Sequence, residues 1–164
     1  MPKGLQETER GYSKISTTVR PAEIILDNNY AIKARSFVLD ATSEIRLCAY
    51  AWRWYDAEPA LPIQQFNVEL LRAALRGVQV RVLVDTEAMA SKFKLLGFDV
   101  RAVQPTRMLH TKAIAIDRQT LILGSHNLTK RANSDNYEMS VALQDFEAVD
   151  QFINYFDRLW LSRG

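Results

Sequence analysis

Through the first two-thirds of the chain, short β-favouring runs alternate with segments of helical period, and this alternation is the strongest constraint on the fold. The runs Ala22–Asp27, Ile45–Trp54, Val78–Val84 and Phe98–Val103 read as strands. Between them, Asn28–Thr42, Ile63–Arg76 and Glu87–Leu96 place apolar residues three and four apart, as amphipathic helices do. Asn28 or Asn29 can cap the first of these helices, and Gly77 and Gly97 sit where the next two must stop. Three further strands, His110–Ile116, Leu121–Gly124 and Tyr137–Leu143, follow without intervening helices, and Phe146–Trp160 closes the chain as a helix. The pattern predicts an α/β sandwich with a mixed, largely parallel sheet between helices, antiparallel where the late strands crowd together.

A chain of 164 residues, 48% of them apolar, has material for one domain with a sizeable core. Its single cysteine, Cys48, excludes a disulfide within the chain and a cysteine-rich zinc site, and its apolar surroundings mark it as a core residue. Residues 1–20 are polar and charged and read as a loose arm before a domain spanning 21–164. No secretory leader and no membrane-length apolar run is visible, so the expected location is the cytoplasm.

The chemistry concentrates in His110-Thr-Lys112 and Gly124-Ser125-His126-Asn127. Side chains two apart in a strand share a face, which pairs His110 with Lys112. An imidazole beside an ammonium group is suited to phosphate: the lysine neutralises non-bridging oxygens, and the histidine attacks phosphorus or moves a proton near neutral pH. Ser125 and Asn127 supply neutral donors for phosphate oxygens, and Gly124 gives the strand end its backbone freedom. With Lys112 they can stabilise the charge of a pentacoordinate transition state. A nucleophilic histidine also needs its second ring nitrogen held by a carboxylate, and Glu138 is the candidate. His126 reads as an ordinary residue of this segment rather than a reacting group.

The spacing from His110 and Lys112 to Asp117 and then to Gly124, Ser125 and Asn127 resembles the signature of the phospholipase D superfamily. The following run, Leu128 to Glu138, is similar to that of the family's small bacterial endonucleases. The resemblance implies His110 as nucleophile, Lys112 and Asn127 as phosphoryl-binding residues, Ser125 as the motif serine, Asp117 in structural support, and Glu138 orienting His110. It implies no cofactor and no metal. Most members of the family carry two such motifs, whereas this chain has one. The resemblance therefore implies a homodimer whose two-fold axis passes through a single shared site, one His110 attacking while its mate protonates the leaving oxygen.

The remaining features are weaker. Asp85 and Glu87 form a lone acidic pair at a strand end, a poor metal signal. Trp52 and Trp54 share a face of their run and read as core or interface. Between Ala90 and Asp135 eight cations face three carboxylates, and Lys92, Lys94, Arg107, Lys130 and Arg131 are the candidate nucleic-acid-binding residues. This basic balance and the single-motif resemblance point to an endonuclease cleaving DNA or RNA through a covalent phosphohistidine, with no membrane partner. A phospholipid-directed phosphodiesterase or phosphatidyl transferase is the principal alternative, to be marked by an apolar rim around the site. A non-catalytic nucleic-acid-binding protein that keeps the fold is the second.

Overall fold

The computed structural model describes residues 22–103 and 106–162; the arm expected at 1–20 lies outside them. The described strands are β1 (Ala22–Leu26), β2 (Glu44–Ala49), β3 (Gln79–Val84), β4 (Asp99–Ala102), β5 (Lys112–Ile116), β6 (Thr120–Gly124) and β7 (Met139–Leu143). They form one seven-stranded sheet in the order β1-β7-β6-β5-β2-β3-β4. The helices are α1 (Tyr30–Leu39), α2 (Pro62–Leu75), α3 (Glu87–Leu95), α4 (Lys130–Ser134) and α5 (Phe146–Leu161), with a 3-10 turn at Asp27–Asn29.

The sheet is mixed, as the alternation implies, but the balance differs from the expected one. Only β2–β3 and β3–β4 pair in parallel; the other four neighbouring pairs are antiparallel. The reason is connection length. A parallel neighbour needs a crossover, and only α2 and α3 provide one between adjacent strands. The three-residue link after β5 enforces reversal there, whereas the link after β6 is longer, passes through α4 and still returns β7 antiparallel to β6.

Local chemistry explains the boundaries. Gly77 and Gly97 take φ of 96° and 97°, so each helix before them ends in a left-handed residue. The side chains of Thr86, Thr129 and Asp145 accept backbone N–H groups of Met89, Ala132 and Ala148 and start α3, α4 and α5. Asn29 precedes α1 without capping it through its side chain; the 3-10 turn leads into the helix instead. At the β5–β6 turn Asp117 and Arg118 both have positive φ, 51° and 55°, and Gln119 N–H bonds to Ile116 C=O at 3.0 Å, the type I′ geometry that suits a twisted hairpin.

Helices α1, α2 and α3 cover one face of the sheet around Ile45, Leu47, Val82, Ile114 and Ile122. Helix α5 covers the other face through Val149, Ile153, Phe156 and Trp160 against Ala113, Ala115, Cys48 and Leu83. Strand β2 is therefore buried on both faces from Ile45 to Ala49. Cys48 is a core residue, its thiol pushed up to about 12 by burial. Trp52 is core as well, stacked on Phe93 with ring centres 3.5 Å apart and bonded through Nε1 to Asn67 at 2.8 Å. Trp54 is half-buried and donates to Asp56.

Candidate active site

The site forms at the end of the sheet where β2 and β6 finish and β5 and β7 begin. His110, Lys112, Gly124, Ser125 and Asn127 line one open hollow of about 350 Å³. His110 lies just before β5 rather than within it, since the strand starts at Lys112. The pair still meets. Lys112 Nζ donates to the His110 carbonyl at 2.8 Å and lies 3.2 Å from each ring nitrogen. Tyr50, which follows β2, backs both residues: its ring centre is 4.5 Å from that of His110 and 4.8 Å from Lys112 Nζ. Burial lowers the Lys112 pKa, and the nearby Glu138 charge opposes that shift.

The opposite wall is the β6 end. A Cβ on Gly124 would collide with Ser140 Oγ and the Met139 carbonyl, so close pairing with β7 at the site requires glycine. Ser125 is fixed in backbone and side chain: its N–H donates to Met139 C=O at 3.0 Å, Met139 N–H donates to its Oγ at 3.1 Å, and its hydroxyl donates to the Glu138 carboxylate. Asn127 keeps its side-chain carbonyl buried without a hydrogen-bond partner among the described residues. Buried Asn133 pins the following loop through the carbonyls of Asn127 and Thr129, at 3.1 and 2.9 Å. Sequence reasoning had not singled out Asn133; the helix α4 that carries it is only five residues long and too short to announce itself by periodicity.

Glu138 stands beside the site, with a different partner from the expected one. Its carboxylate accepts from Ser125 and from Asn136 Nδ2, the latter at 2.9 Å, and no hydrogen bond joins it to His110 within the chain. Its backbone exchanges bonds with Asp27, whose Oδ1 accepts Glu138 N–H and whose N–H donates to Glu138 C=O, both at 2.9 Å. His126 is 1% exposed and belongs to the core behind the site. Its Nδ1 meets Ser140 Oγ at 2.7 Å and its Nε2 meets the Asp27 carbonyl at 2.8 Å, which makes Nε2 the protonated nitrogen, while Tyr30 stacks on the ring. Burial is the main cause of its lowered pKa.

Asp117 sits at the far end of the sheet. Its two oxygens accept from the backbone N–H groups of Thr42, Ser43 and Glu44 and from both hydroxyls, at 2.8–3.1 Å. Burial would raise its pKa, but these bonds prevail and lower it. Of the basic candidates, Lys130 and Arg131 are the first two residues of α4, shortly after Asn127, and Arg107 is exposed three residues before His110. Lys92 and Lys94 fall in the last turn of α3, which the crossover carries back to the end of the sheet remote from His110. Asp85 does not face outward to pair with Glu87; its Oδ1 accepts Leu109 N–H at 2.7 Å and secures the approach to His110. Among the described residues, no three His, Cys, Asp or Glu side chains gather as a metal site.

The family described as "Cardiolipin synthase, PLD-like domain" matches residues 36–160. The chain belongs to the phospholipase D superfamily. A mouse relative named mitochondrial cardiolipin hydrolase is 36% identical over 129 residues, covering 75% of this chain and 54% of the relative. A Rickettsia felis relative named phospholipase D is 33% identical over 100 residues, covering 57% of this chain and 48% of the relative. The chain thus spans about half the length of these curated relatives. The crystal structure of Nuc from Salmonella typhimurium, described as a phospholipase D family member, superposes with a TM-score of 0.69 at 20% identity, over 85% of this chain and 95% of that one. The likeness shows a phospholipase D-like fold with a mixed sheet.

Among the described residues, no helix is long and apolar enough to cross a membrane.

Proposed function

We propose that the protein is a metal-independent phosphodiesterase acting on nucleic acid through a covalent phosphohistidine. The observation that carries this reading is the convergence of His110, Lys112, Ser125 and Asn127 on one hollow. A nitrogen of His110 attacks phosphorus, Lys112 and Asn127 hold the non-bridging oxygens, and the P–O bond to the leaving group breaks as that oxygen takes a proton. Water then attacks the phosphohistidine, giving a proton to the group that protonated the leaving oxygen, as the P–N bond breaks and the histidine is regenerated.

Within one chain the other histidine, His126, is buried with both nitrogens engaged and does not supply that proton. A homodimer about a two-fold axis at the site supplies it from the second copy's His110. The same pairing accounts for Glu138: its hold on His110 is proposed across the axis, since within a chain it serves Ser125 and Asn136.

A phospholipid-directed reading has one observation in its favour. A groove of about 530 Å³ opens beside His110 and Lys112 and is walled by Leu121, Leu123, Leu143 and Phe152. This is the apolar rim that a lipid substrate would use.

The test is cleavage of single-stranded DNA, single-stranded RNA, plasmid DNA and phospholipid vesicles in excess EDTA, comparing the unaltered protein with His110→Ala. Nucleic-acid cleavage that persists in EDTA and is lost in the variant supports the proposal. Vesicle hydrolysis alone turns the reading to lipid. Cleavage that needs Mg²⁺ and survives the substitution overturns it.

A further inference from the structure

Just past Asn127 the chain enters a second hollow, of about 400 Å³, lined by Arg53, Tyr55, Thr129, Lys130, Arg131 and Asp135. None of these residues lines the His110 hollow. The two are nonetheless held side by side. Trp52 bridges Leu128, Leu128 N–H donates to Ala51 C=O at 2.9 Å, and Arg53 N–H donates to Leu128 C=O at 3.0 Å. The segment after β2 and the segment after β6 are thereby zipped together. Asn127 belongs to the His110 hollow and Thr129 to the second one, and two residues of extended chain separate their Cα atoms by about 7 Å at most.

The charges of the second hollow are unevenly used. Lys130 is engaged: its Nζ pairs with Glu58 at 2.5 Å and its backbone N–H donates to Tyr55 Oη at 2.6 Å. Asp135 is the one acid in the lining and adds to the field around Lys130. Arg53 and Arg131 are exposed, and neither guanidinium has an ion pair or hydrogen bond among the described residues. Setting Glu58 and Asp135 against Arg53, Lys130 and Arg131 leaves a net positive charge. Two unpaired forked donors in a polar hollow match the oxygens of a phosphate.

We infer that Arg53 and Arg131 form a second phosphate subsite, which holds the phosphodiester next to the one under attack and so selects a polynucleotide strand. This inference rests on the phosphodiesterase reading and specifies its substrate. A lone diester has nothing to place in the second hollow.

The experiment measures binding of a fluorescent single-stranded oligonucleotide of about twelve nucleotides by anisotropy across a salt series, for the unaltered full chain and for Arg53→Ala/Arg131→Ala. Each phosphate contact to a single strand contributes about 0.7 to the slope of log affinity against log salt, so the double variant should lose about 1.4 from that slope and bind about tenfold more weakly at low salt. Arg53→Lys/Arg131→Lys should keep most of the slope, because it keeps the charge. As a second readout, kcat/KM on the oligonucleotide should fall at least about tenfold more than kcat/KM on bis(p-nitrophenyl) phosphate, which carries a single phosphorus.

An unchanged salt slope, equal losses on both substrates, or no oligonucleotide binding by the unaltered protein overturns the subsite. Arginine-dependent binding to cardiolipin vesicles with none to the oligonucleotide overturns it in favour of a two-phosphate lipid. If the unaltered protein turns over neither substrate, the catalytic reading fails, while the anisotropy series still decides the subsite.

Discussion

Asp117→Asn tests whether the motif aspartate acts on the fold rather than on substrate. In the native protein three backbone N–H groups, of Thr42, Ser43 and Glu44, point at its carboxylate at 2.8–3.0 Å. The amide removes the charge and replaces one accepting oxygen with a donor. A hydrogen bond to a charged group contributes about 1 kcal/mol more than a neutral one. Thr42 and Ser43 are exposed, so their N–H groups return to water at little cost, and only Glu44 is partly buried. The expected loss is therefore about 2 kcal/mol rather than the full sum, or a Tm lower by about 4–8 °C for a chain of this length. The sign of the pH dependence follows from the lowered carboxyl pKa. Stabilisation by the ionised form is present above the unfolded-state value, near about 3.9, and is lost as pH falls through the folded-state value. Urea unfolding of both proteins at neutral pH and across the acid range is the assay. The gap between them should be widest at neutral pH and close on acidification. A variant as stable as the native protein at neutral pH, or a gap that does not change with acid, would refute the reasoning.

Gly124→Ala should cost about 1–3 kcal/mol and most of the activity, because the added Cβ meets Ser140 and the Met139 carbonyl and pries β7 from β6 at the site; unfolding curves and turnover measure both. His126→Phe should remove a pH dependence. The folded-state pKa of His126 is lowered, so the native protein loses stability as pH falls below about 6.5, and thermal melts of the variant should show a flatter profile there. Glu138→Gln removes the charge that opposes the lowering of the Lys112 pKa, so the alkaline limb of the pH–rate profile should move to lower pH. An unmoved limb would remove that coupling. Lys112→Met should reduce kcat by about 10²–10³ with little change in unfolding free energy, as loss of a charge-stabilising donor does.

Much of the site was legible because its chemistry is carried by residues close in the chain. His110 and Lys112 are two apart, and so are Ser125 and Asn127, and each pair is delivered as a unit by one strand end. The helix stops at Gly77 and Gly97 were readable for a similar reason, since a left-handed residue is a local requirement that glycine meets without steric cost. Asp117 is expected from the resemblance to be structural, but its partners, Thr42 to Glu44, lie more than seventy residues earlier and no local pattern reveals them.

What escaped the linear reading depends on contacts between distant segments. The partner of Glu138 is decided by the β6–β7 register, which sets Gly124 against Ser140 and so carries Ser125 to the carboxylate. The role of His126 is decided by the 3-10 turn at Asp27, which returns a carbonyl to its ring from 99 residues away. The excess of antiparallel pairs follows from which strands become neighbours, and that is a matter of whole-sheet packing. Arg53 joined the basic residues near the site only when the chain after β2 was seen paired with the chain after β6. Residue type and short spacing determine the candidate reacting groups and the helix and strand periods, because those are local properties of backbone and side chain. Register, strand order and the neighbours of each charge belong to the tertiary structure, because burial and hydrogen-bond satisfaction are settled across the whole sheet at once.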